Sequence, residues 1–308
     1  MELHQLQMLR ELGSLGSVTA VAAALRVTPS AVSQQLAALQ RGFHTPLTAR
    51  QGRTLTLTTA GRVLAEAGAE AIDAVAAARS ALDEFEQDAT GTVTVSGFHS
   101  AGQALFGPLL RELSAASDSP SVQLTDEDVA QSEFPSLTGR YDLVLAHRME
   151  HAEPWPAQGI RSLTLVREPL DVAVAASHPL AGRASVTPDD VAGERWVTSR
   201  IGYSPDDVLK AIAAVANRPP HVLHRINDYG AVAATVAAGD AIGMLPRYTS
   251  RSVDDHDIVR LPLEGVGSLR VIDVLARPET LRRRSARLVV EALQRVMSRL
   301  ADAERPAS

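Results

Sequence analysis

The chain has 308 residues, of which 45% are apolar and 21% charged, which excludes global disorder and suggests two or three domains with a sizeable core. It contains no cysteine, so disulfides, thiolate metal sites, cysteine catalysis and thiol redox sensing are excluded. The sequence shows neither an export signal nor an apolar run long enough to span a membrane, and we expect a cytoplasmic protein.

Charge is distributed unevenly along the chain. The formal net charge is −6, yet residues 1–61 carry five arginines against two glutamates, so the acidic excess lies in the remaining residues. A basic N-terminal segment followed by an acidic remainder favours a DNA-binding domain joined to a domain of another kind.

The first 58 residues predict a helix-turn-helix followed by a wing. Ser17 is a candidate N-cap for a short helix over residues 17–25, after a leucine-rich first helix. Thr28-Pro29 is a sharper start signal, because a hydroxyl cap precedes proline at the first helical position. Residues 50–58 contain a turn and then alternate as a strand does, which predicts the wing.

Polar side chains lie on the second of these helices, away from its apolar face. We predict contacts with double-stranded DNA from Thr28, Pro29, Ser30, Ser33, Gln34, Gln35, Arg50 and Arg53. Glutamine can bond adenine at two points, and serine reaches either bases or phosphates. The two arginines near the wing would bind phosphate without sequence preference. The alternative is a solvated polar face that contacts no DNA.

Residues 59–87 contain no proline and predict one long helix. Gly61, Gly68, Val75 and Leu82 recur every seven residues, and a second series starts three positions later at Leu64. We expect this helix to pair two protomers through Leu64, Ala71, Val75, Ala78 and Leu82. The alternative is a surface helix that packs on its own domain.

Beyond residue 91 strands alternate with helices, which is typical of an α/β fold. The predicted strands cover residues 92–96, 122–125, 142–146, 163–167, 172–175, 195–198, 242–245 and 271–276, and the predicted helices cover 103–115, 206–215, 229–238 and 281–301.

Catalytic motifs are nearly absent. The sequence has no phosphate-binding glycine loop, dinucleotide fingerprint or nucleophile elbow. One segment, His147-Arg-Met-Glu150-His151, matches the H-x-x-E-H pattern, so a metal-dependent hydrolase is the rival hypothesis. That chemistry needs both histidines one helical turn apart, whereas this segment follows a predicted strand and runs into a loop. We therefore expect no catalytic residue, no metal and no cofactor.

Residues 16–36, GSVTAVAAALRVTPSAVSQQL, resemble the winged helix-turn-helix of LysR-type transcriptional regulators. Residues 46–61 continue the match, and segments 168–170, 178–181 and 238–246 look like landmarks of the family's effector domain. Gln40, His44 and Thr48 depart from the family pattern, which has glutamate, glycine and phenylalanine at these positions.

The resemblance implies a ligand-responsive regulator of transcription that binds operator DNA and has no enzymatic activity. Its winged helix-turn-helix would span residues 1–58, its linker and dimerisation helix 59–89, and its two-lobed α/β effector domain 90–308. Lobe I would comprise about 90–166 and 268–303, and lobe II about 167–267. A homodimer, commonly assembled into a homotetramer, is implied, and RNA polymerase is a further candidate partner.

A small-molecule effector would bind between the lobes, at strand ends and helix starts. Carried over by position, its pocket residues are Ser100, Ala101, His147, Arg148, Ser199, Arg200, Gly202 and Asp228. Helix-start N–H groups, two serine hydroxyls and an arginine favour a carboxylate-bearing effector, and an aspartate facing the cleft would add an amine site. The alternative interpretation of Ser100 is a simple helix cap. A solute-binding protein is a second rival, opposed by the DNA-binding half.

Overall fold

The N-terminal domain is a winged helix-turn-helix. The computed structural model describes residues 1–52, 54–85, 91–115, 119–156, 159–250 and 255–304. Helix α1 spans Leu3–Leu15, α2 spans Val18–Ala24 and α3 spans Pro29–Gln40. Strands β1 (Thr48–Gln51) and β2 (Thr54–Leu57) pair antiparallel and form the wing. Arg53, predicted to contact phosphate from the wing, lies outside the described residues.

Both predicted helix caps are confirmed. The Ser17 hydroxyl accepts the Ala20 N–H at 3.1 Å, and the Thr28 hydroxyl accepts the Ala31 N–H at 3.2 Å. Pro29 stands at the first position of α3, where its missing N–H costs nothing because first-turn N–H groups have no partner within the helix. The caps therefore fix where α2 and α3 begin, and the helices close on a core that includes Leu9, Val32 and Leu39.

Gln40 holds the loop between α3 and the wing. Its amide nitrogen donates to the carbonyls of Phe43 and Thr45, each at 3.1 Å, and its amide oxygen accepts the Leu47 N–H at 2.8 Å. Glutamate, the residue of the family pattern, can accept the last bond but can donate neither of the others. Glutamine in place of the family's glutamate thus preserves the wing and gives the loop two additional hydrogen bonds.

The long helix α4 spans Thr59–Phe85 and packs on the N-terminal domain through part of the predicted seam. A Cβ on Gly61 would lie 2.0 Å from the Leu47 carbonyl oxygen, and one on Gly68 would lie 3.1 Å from Leu6. Leu64 is partly buried against the same core, so part of its side chain contacts its own domain. These small residues bring α4 close to its own domain, which is the alternative that the sequence left open.

The outer face of α4 carries an exposed apolar stripe. Val63 is 62% exposed, Leu82 56% and Val75 38%. Alanines at positions 67, 71, 74 and 78 are exposed along the same helix. Residues of this stripe remain available to a partner helix, and Val63, the neighbour of Leu64, is the most exposed of the three large side chains.

Within the described ranges, the remaining strands form one mixed sheet in the order β4-β3-β5-β11-β6-β9-β7-β8, with β10 beside β6. The strands are β3 (Thr92–Gly97), β4 (Ser121–Asp126), β5 (Leu143–Met149), β6 (Arg161–Ala175), β7 (Arg195–Thr198), β8 (His221–Arg225), β9 (Ile242–Pro246), β10 (Ile258–Leu261) and β11 (Leu269–Ala276). Pairs within β4-β3-β5 and within β9-β7-β8 are parallel, whereas β6 and β11 run antiparallel to their neighbours.

Helices cover the sheet. They are α5 (His99–Ala101), continued by a π-helical turn at Gly102–Phe106 into α6 (Gly107–Ser114), then α7 (Phe134–Leu137), α8 (Pro188–Val191), α9 (Ser204–Val215), α10 (Tyr229–Ala237), α11 (Pro278–Arg282) and α12 (Arg284–Ala303). One apolar core is formed by residues 93–146 and 272–297, and two further clusters lie between residues 149 and 263. This separation of cores gives two lobes joined by β6 and β11. No helix in the described part of the chain is long and apolar enough to cross a bilayer.

Three sequence predictions need correction. Residues 163–167 and 172–175 belong to one continuous strand, β6, because Pro169 lies where the strand passes from pairing with β11 to pairing with β9. Strand β5 continues to Met149, three residues beyond the predicted end. Strands β8 and β10 were missed, since β8 is an exposed, histidine-containing edge strand without clear apolar alternation.

Replacing Gln40 by glutamate tests the role of the loop. The Gln40→Glu variant leaves the carbonyls of Phe43 and Thr45 without their donor, and we expect the N-terminal domain to lose about 1–2 kcal/mol of unfolding free energy. Chemical denaturation followed by circular dichroism measures the loss. Gln34→Glu, on the exposed face of the same helix, is the control. Equal stability of the two variants would contradict this account of the loop.

Candidate DNA-binding surface and inter-lobe cleft

The start of α3 presents a polar surface to solvent. Thr28, Pro29, Ser30, Ser33 and Gln34 are all exposed. The Ser33 hydroxyl donates to the Pro29 carbonyl at 3.0 Å, and the Gln34 amide donates to the Ser30 hydroxyl at 3.5 Å. Arg50 is exposed on β1, in register with Leu55 of β2. The amide of Gln34 is thus held only by a long, exposed hydrogen bond. Little free energy is lost when this amide turns to bind another partner.

Gln35 differs from its neighbour. Its amide oxygen accepts a hydrogen bond from Gln5 at 3.1 Å and lies 3.0 Å from a ring nitrogen of His4, both on α1. The side chain is half-buried. These bonds hold α3 against α1, which makes Gln35 less free to meet a base than Gln34.

A narrow cleft lies between the lobes, at the carboxyl ends of β3 and β7. Its walls are formed by Phe98, His99, Ser100, Asp128, His147, Ser199, Tyr203, Ser204, Pro205, Asn227, Tyr229 and Arg270. Ser100, His147 and Ser199 were predicted from the sequence. The space left between these side chains is little larger than a water molecule, so a ligand can enter only when the lobes separate.

Arg270 forms the floor of the cleft and is 1% exposed. Its Nε lies 2.8 Å from Oε2 of Glu168, which is fully buried, and its Nη2 donates to the Ser100 hydroxyl at 3.2 Å. The guanidinium also lies 5.3 Å from the ring centre of Phe98 and 5.8 Å from that of Tyr229. Sequence reasoning missed this residue. The signal was an arginine within the apolar strand of residues 269–276, where a charge needs a buried partner.

His147 points from β5 into the cleft. Its Nδ1 lies 3.1 Å from the Ser204 hydroxyl across the cleft, and its ring meets Phe98 and Phe134 edge-on at 4.6 Å and 5.3 Å. Burial, assisted by the positive charge of Arg270, lowers the pKa of His147 to about 3. The imidazole is therefore neutral at any ordinary pH.

Predicted pocket residues that do not line the cleft divide into two groups. Arg148 alternates to the opposite face of β5, where its Nε lies 3.5 Å from the carboxylate of Asp273. Ala101 is buried in the core of lobe I. Neither residue lines the cleft in this structure, because Arg148 and its neighbour His147 face opposite ways on the strand and because Ala101 turns inward on its helix.

The second group lies at the rim of the cleft. The Asp228 carboxylate caps α10 by accepting the Ala231 N–H at 2.7 Å. The backbone of Arg200 donates to Asn227 at 2.9 Å while its guanidinium is mostly exposed. Gly202 has a φ of +90° in the turn that precedes α9, a conformation that favours glycine. These residues shape the rim and stay outside the cleft walls.

Hydrogen bonds across the mouth hold the lobes together. His99 reaches Asp228 of lobe II at 2.7 Å and, within lobe I, Asp126 at 3.3 Å. Although burial opposes it, hydrogen bonding to both carboxylates raises the pKa of His99. Asp128 accepts from the side chains of Arg200 at 3.5 Å and Asn227 at 3.3 Å. The described conformation is thus a closed one.

The H-x-x-E-H segment does not form a helix. His147 and Arg148 belong to β5, and the chain turns after Met149. The Glu150 carboxylate accepts from Arg167 at 2.9 Å, and His151 is exposed. Among the described residues no three histidine or acidic side chains are grouped as a metal site. The geometry that the hydrolase hypothesis requires is therefore missing from this segment.

Comparisons with known proteins identify the N-terminal domain and the two-lobed domain as members of one family. Residues 3–62 match the family model described as bacterial regulatory helix-turn-helix protein, lysR family, and residues 86–298 match the LysR substrate binding domain. The uncharacterised regulator YybE of Bacillus subtilis is 26% identical over 89% of this chain and 91% of its own.

Two solved structures have the same fold. Full-length OxyR from Pseudomonas aeruginosa has a TM-score of 0.67 at 17% identity and covers 100% of this chain and 99% of its own. CbnR in complex with its target DNA has a TM-score of 0.53 at 22% identity and covers 96% of this chain and 100% of its own.

The low pKa of His147 has a consequence for stability. Below its ordinary pKa of 6.5 the unfolded chain binds a proton that the folded protein excludes down to about pH 3, so falling pH favours unfolding. We expect wild type to lose about 1 kcal/mol more unfolding free energy than His147→Gln between pH 6.5 and pH 5.5.

Urea denaturation at the two pH values measures this difference. The exposed His151→Gln variant should show the pH dependence of wild type. A His147→Gln variant with the wild-type pH dependence would contradict the assignment of a buried, neutral imidazole.

Proposed function

The chain belongs to the LysR family of bacterial transcriptional regulators, and on this basis we propose which residues read DNA and what kind of ligand the cleft binds. It is a ligand-responsive, DNA-binding regulator of transcription. We assign residues 1–58 to operator binding, 59–89 to the linker helix, and 90–308 to the effector domain. The single observation that carries this assignment is a closed inter-lobe cleft, floored by a buried arginine, on the same chain as an exposed recognition helix.

Base reading falls to Ser33 and Gln34. Both side chains are exposed on α3, and the Gln34 amide can offer an adenine one donor and one acceptor. Thr28, Pro29 and Ser30 lie at the helix start, where N–H groups attract a phosphate. Arg50 and Arg53 contribute phosphate affinity that does not depend on sequence.

The exposed stripe on α4 supports pairing of two protomers. When a like helix covers the exposed valine and leucine, their apolar surface is removed from water, which favours pairing of the two helices. The alanines between them permit the helices to approach closely. The protein forms oligomers, as LysR regulators do. We propose that Val63, Ala71, Val75, Ala78 and Leu82 lie at the dimer interface and that dimers assemble into a homotetramer.

The cleft suits a small ligand with a carboxylate. Arg270 and Ser100 supply donors at the floor, and the Ser199 hydroxyl accepts the Asp206 N–H at 3.2 Å, which leaves its own hydrogen to donate. Asp128 lies at the mouth, where an amine would meet it. A carboxylate is therefore the first choice of effector and a zwitterion with an amine the second.

We propose that the cleft binds its ligand without catalysing a reaction. The pair closest to a nucleophile and base is Ser204 with His147, at 3.1 Å. A histidine with a pKa of about 3 is too weak a base to activate a serine near neutral pH. Because its partner is DNA, we propose that the protein works in the cytoplasm.

The DNA assignment is tested by two alanine variants. Gln34→Ala should lose about 1–3 kcal/mol of binding free energy on operator DNA and little on scrambled DNA, because it removes a base contact. Arg50→Ala should weaken both DNAs and lower the salt dependence by about one phosphate contact. Fluorescence anisotropy across a salt series measures both effects, with operator DNA identified by footprinting. Equal losses of Gln34→Ala on the two DNAs would remove Gln34 as a specificity residue.

The effector class is tested by isothermal titration calorimetry with a panel of metabolite carboxylates and their neutral amides. Carboxylates should bind and their amides should not. Ser100→Ala should weaken the tightest carboxylate about tenfold, since one charged hydrogen bond is lost. Ser114→Ala, exposed in the same helical segment, is the control. If the tightest ligand is uncharged, or binds Ser100→Ala as well as wild type, the carboxylate assignment is wrong.

A further inference from the structure

One hydrogen bond inside the cleft, between His147 and Ser204, joins the two lobes without involving the groups that would bind a carboxylate. We infer that this pair recognises a hydroxyl group of the effector, which makes the effector a small hydroxy carboxylate. The inference rests on the proposed function, because it adds a second recognised group to the carboxylate ligand of the same cleft.

The pair is buried between the lobes. His147 projects from β5 of lobe I, and Ser204 begins α9 of lobe II. The two residues are 5% and 2% exposed, and Nδ1 of the imidazole lies 3.1 Å from the serine hydroxyl. Because a ligand can enter only when the lobes separate, its entry breaks this bond. Both groups then need a new partner, since a buried polar group without one is costly.

The pair lies close to the donors at the floor of the cleft. In the pairing of β5 with β11, His147 stands opposite Ile272. Arg270 lies two residues before Ile272, so its side chain leaves the sheet on the same side as that of His147. Besides burial, the positive charge of Arg270 lowers the pKa of His147, as expected for neighbouring side chains. One small ligand can thus place its carboxylate on Arg270 and Ser100 and an adjacent group on His147.

The direction of the hydrogen bond follows from what each partner meets. Within the described ranges, the Ser204 hydroxyl has no other hydrogen-bond partner, so its hydrogen is donated to Nδ1 of His147. The imidazole is neutral, because its pKa is about 3, and its own proton is then on Nε2. The pair therefore offers one donor, the serine hydroxyl, and one acceptor, the imidazole nitrogen.

A ligand group that enters between the two must accept from Ser204 and donate to His147. A hydroxyl group does both. A carbonyl oxygen accepts but cannot donate, an ammonium group donates but cannot accept, and a methylene group does neither. With a hydroxyl in place the two protein atoms would lie about 5 Å apart, across two successive hydrogen bonds. The lobes would then remain nearly closed around the ligand.

A pair that only held the empty cleft shut would behave differently. Loss of the bond would then change the free energy of opening, and this alters the affinity of every ligand by the same factor. Discrimination between ligands that share a carbon skeleton would stay as it was. The ratio of affinities for a hydroxy acid and its deoxy analogue therefore separates recognition from closure.

The test is isothermal titration calorimetry of the full-length protein with two matched series of ligands. Lactate, pyruvate, alanine and propionate share one carbon skeleton and differ in the group beside the carboxylate. Malate, aspartate and succinate form the corresponding dicarboxylate series. Wild type should bind the hydroxy acid of at least one series about tenfold or more tightly than its counterparts, because they leave part of the pair without a partner.

Two variants remove the two halves of the pair. Ser204→Ala removes the donor, and His147→Phe removes the acceptor but keeps an aromatic ring against Phe98 and Phe134. Each should reduce the preference for the hydroxy acid over the deoxy acid to about twofold or less. Ser96→Ala is the matched control and should keep the wild-type preference. It deletes a buried hydroxyl that lies outside the cleft and has no hydrogen-bond partner among the described residues.

Circular dichroism checks that each variant is folded, and Ser204→Ala decides the matter if His147→Phe is not. Equal affinity of wild type for hydroxy and deoxy acids, or a preference that survives in the folded variants, would overturn the inference and leave the carboxylate proposal standing. If neither series binds, the inference also fails, and the wider panel of carboxylates and amides decides the proposed function separately.

Discussion

The effector domain depends on one buried ion pair, between Arg270 of β11 and Glu168 of β6. The two strands connect the lobes, and the pair lies where they pass side by side. Glu168 also accepts the N–H groups of Tyr248 and Thr249 at 2.6 Å, which ties in the segment after β9. Two charges taken out of water are tolerable only with such complete hydrogen bonding. The crossing point of the lobes is therefore fixed by electrostatics as well as by the sheet.

The same arginine forms the floor of the ligand cleft, and this links binding to lobe movement. Arg270 reaches Ser100 and Thr249, so its guanidinium touches one group from each lobe besides Glu168. An anion that enters the cleft meets donors that are already held in place where β6 and β11 connect the lobes. Such a ligand shifts the balance between open and closed lobes only by its difference in affinity for the two. The hydrogen bonds of His99 and Asp128 across the mouth stabilise the closed arrangement of the lobes.

The sequence predicted local features well and long-range side-chain partners poorly. Caps at Ser17 and Thr28 depend on residues three positions away, so they could be predicted correctly. His147 and Arg148 were both assigned to the pocket, yet a strand three residues longer than predicted turns them to opposite faces. Leu64 and Arg270 needed knowledge of what packs against them, which periodicity alone does not contain. The family resemblance supplied the overall architecture but not the charge at the cleft floor.

A double-mutant cycle measures how strongly Arg270 and Glu168 depend on each other. The unfolding free energy of the effector domain is measured for Arg270→Met, for Glu168→Leu and for both together. Each single variant leaves one buried charge without its partner and should lose about 3–5 kcal/mol, whereas the double variant should lose much less than the sum. Losses that simply add, or single variants as stable as wild type, would contradict the claim that this pair organises the domain.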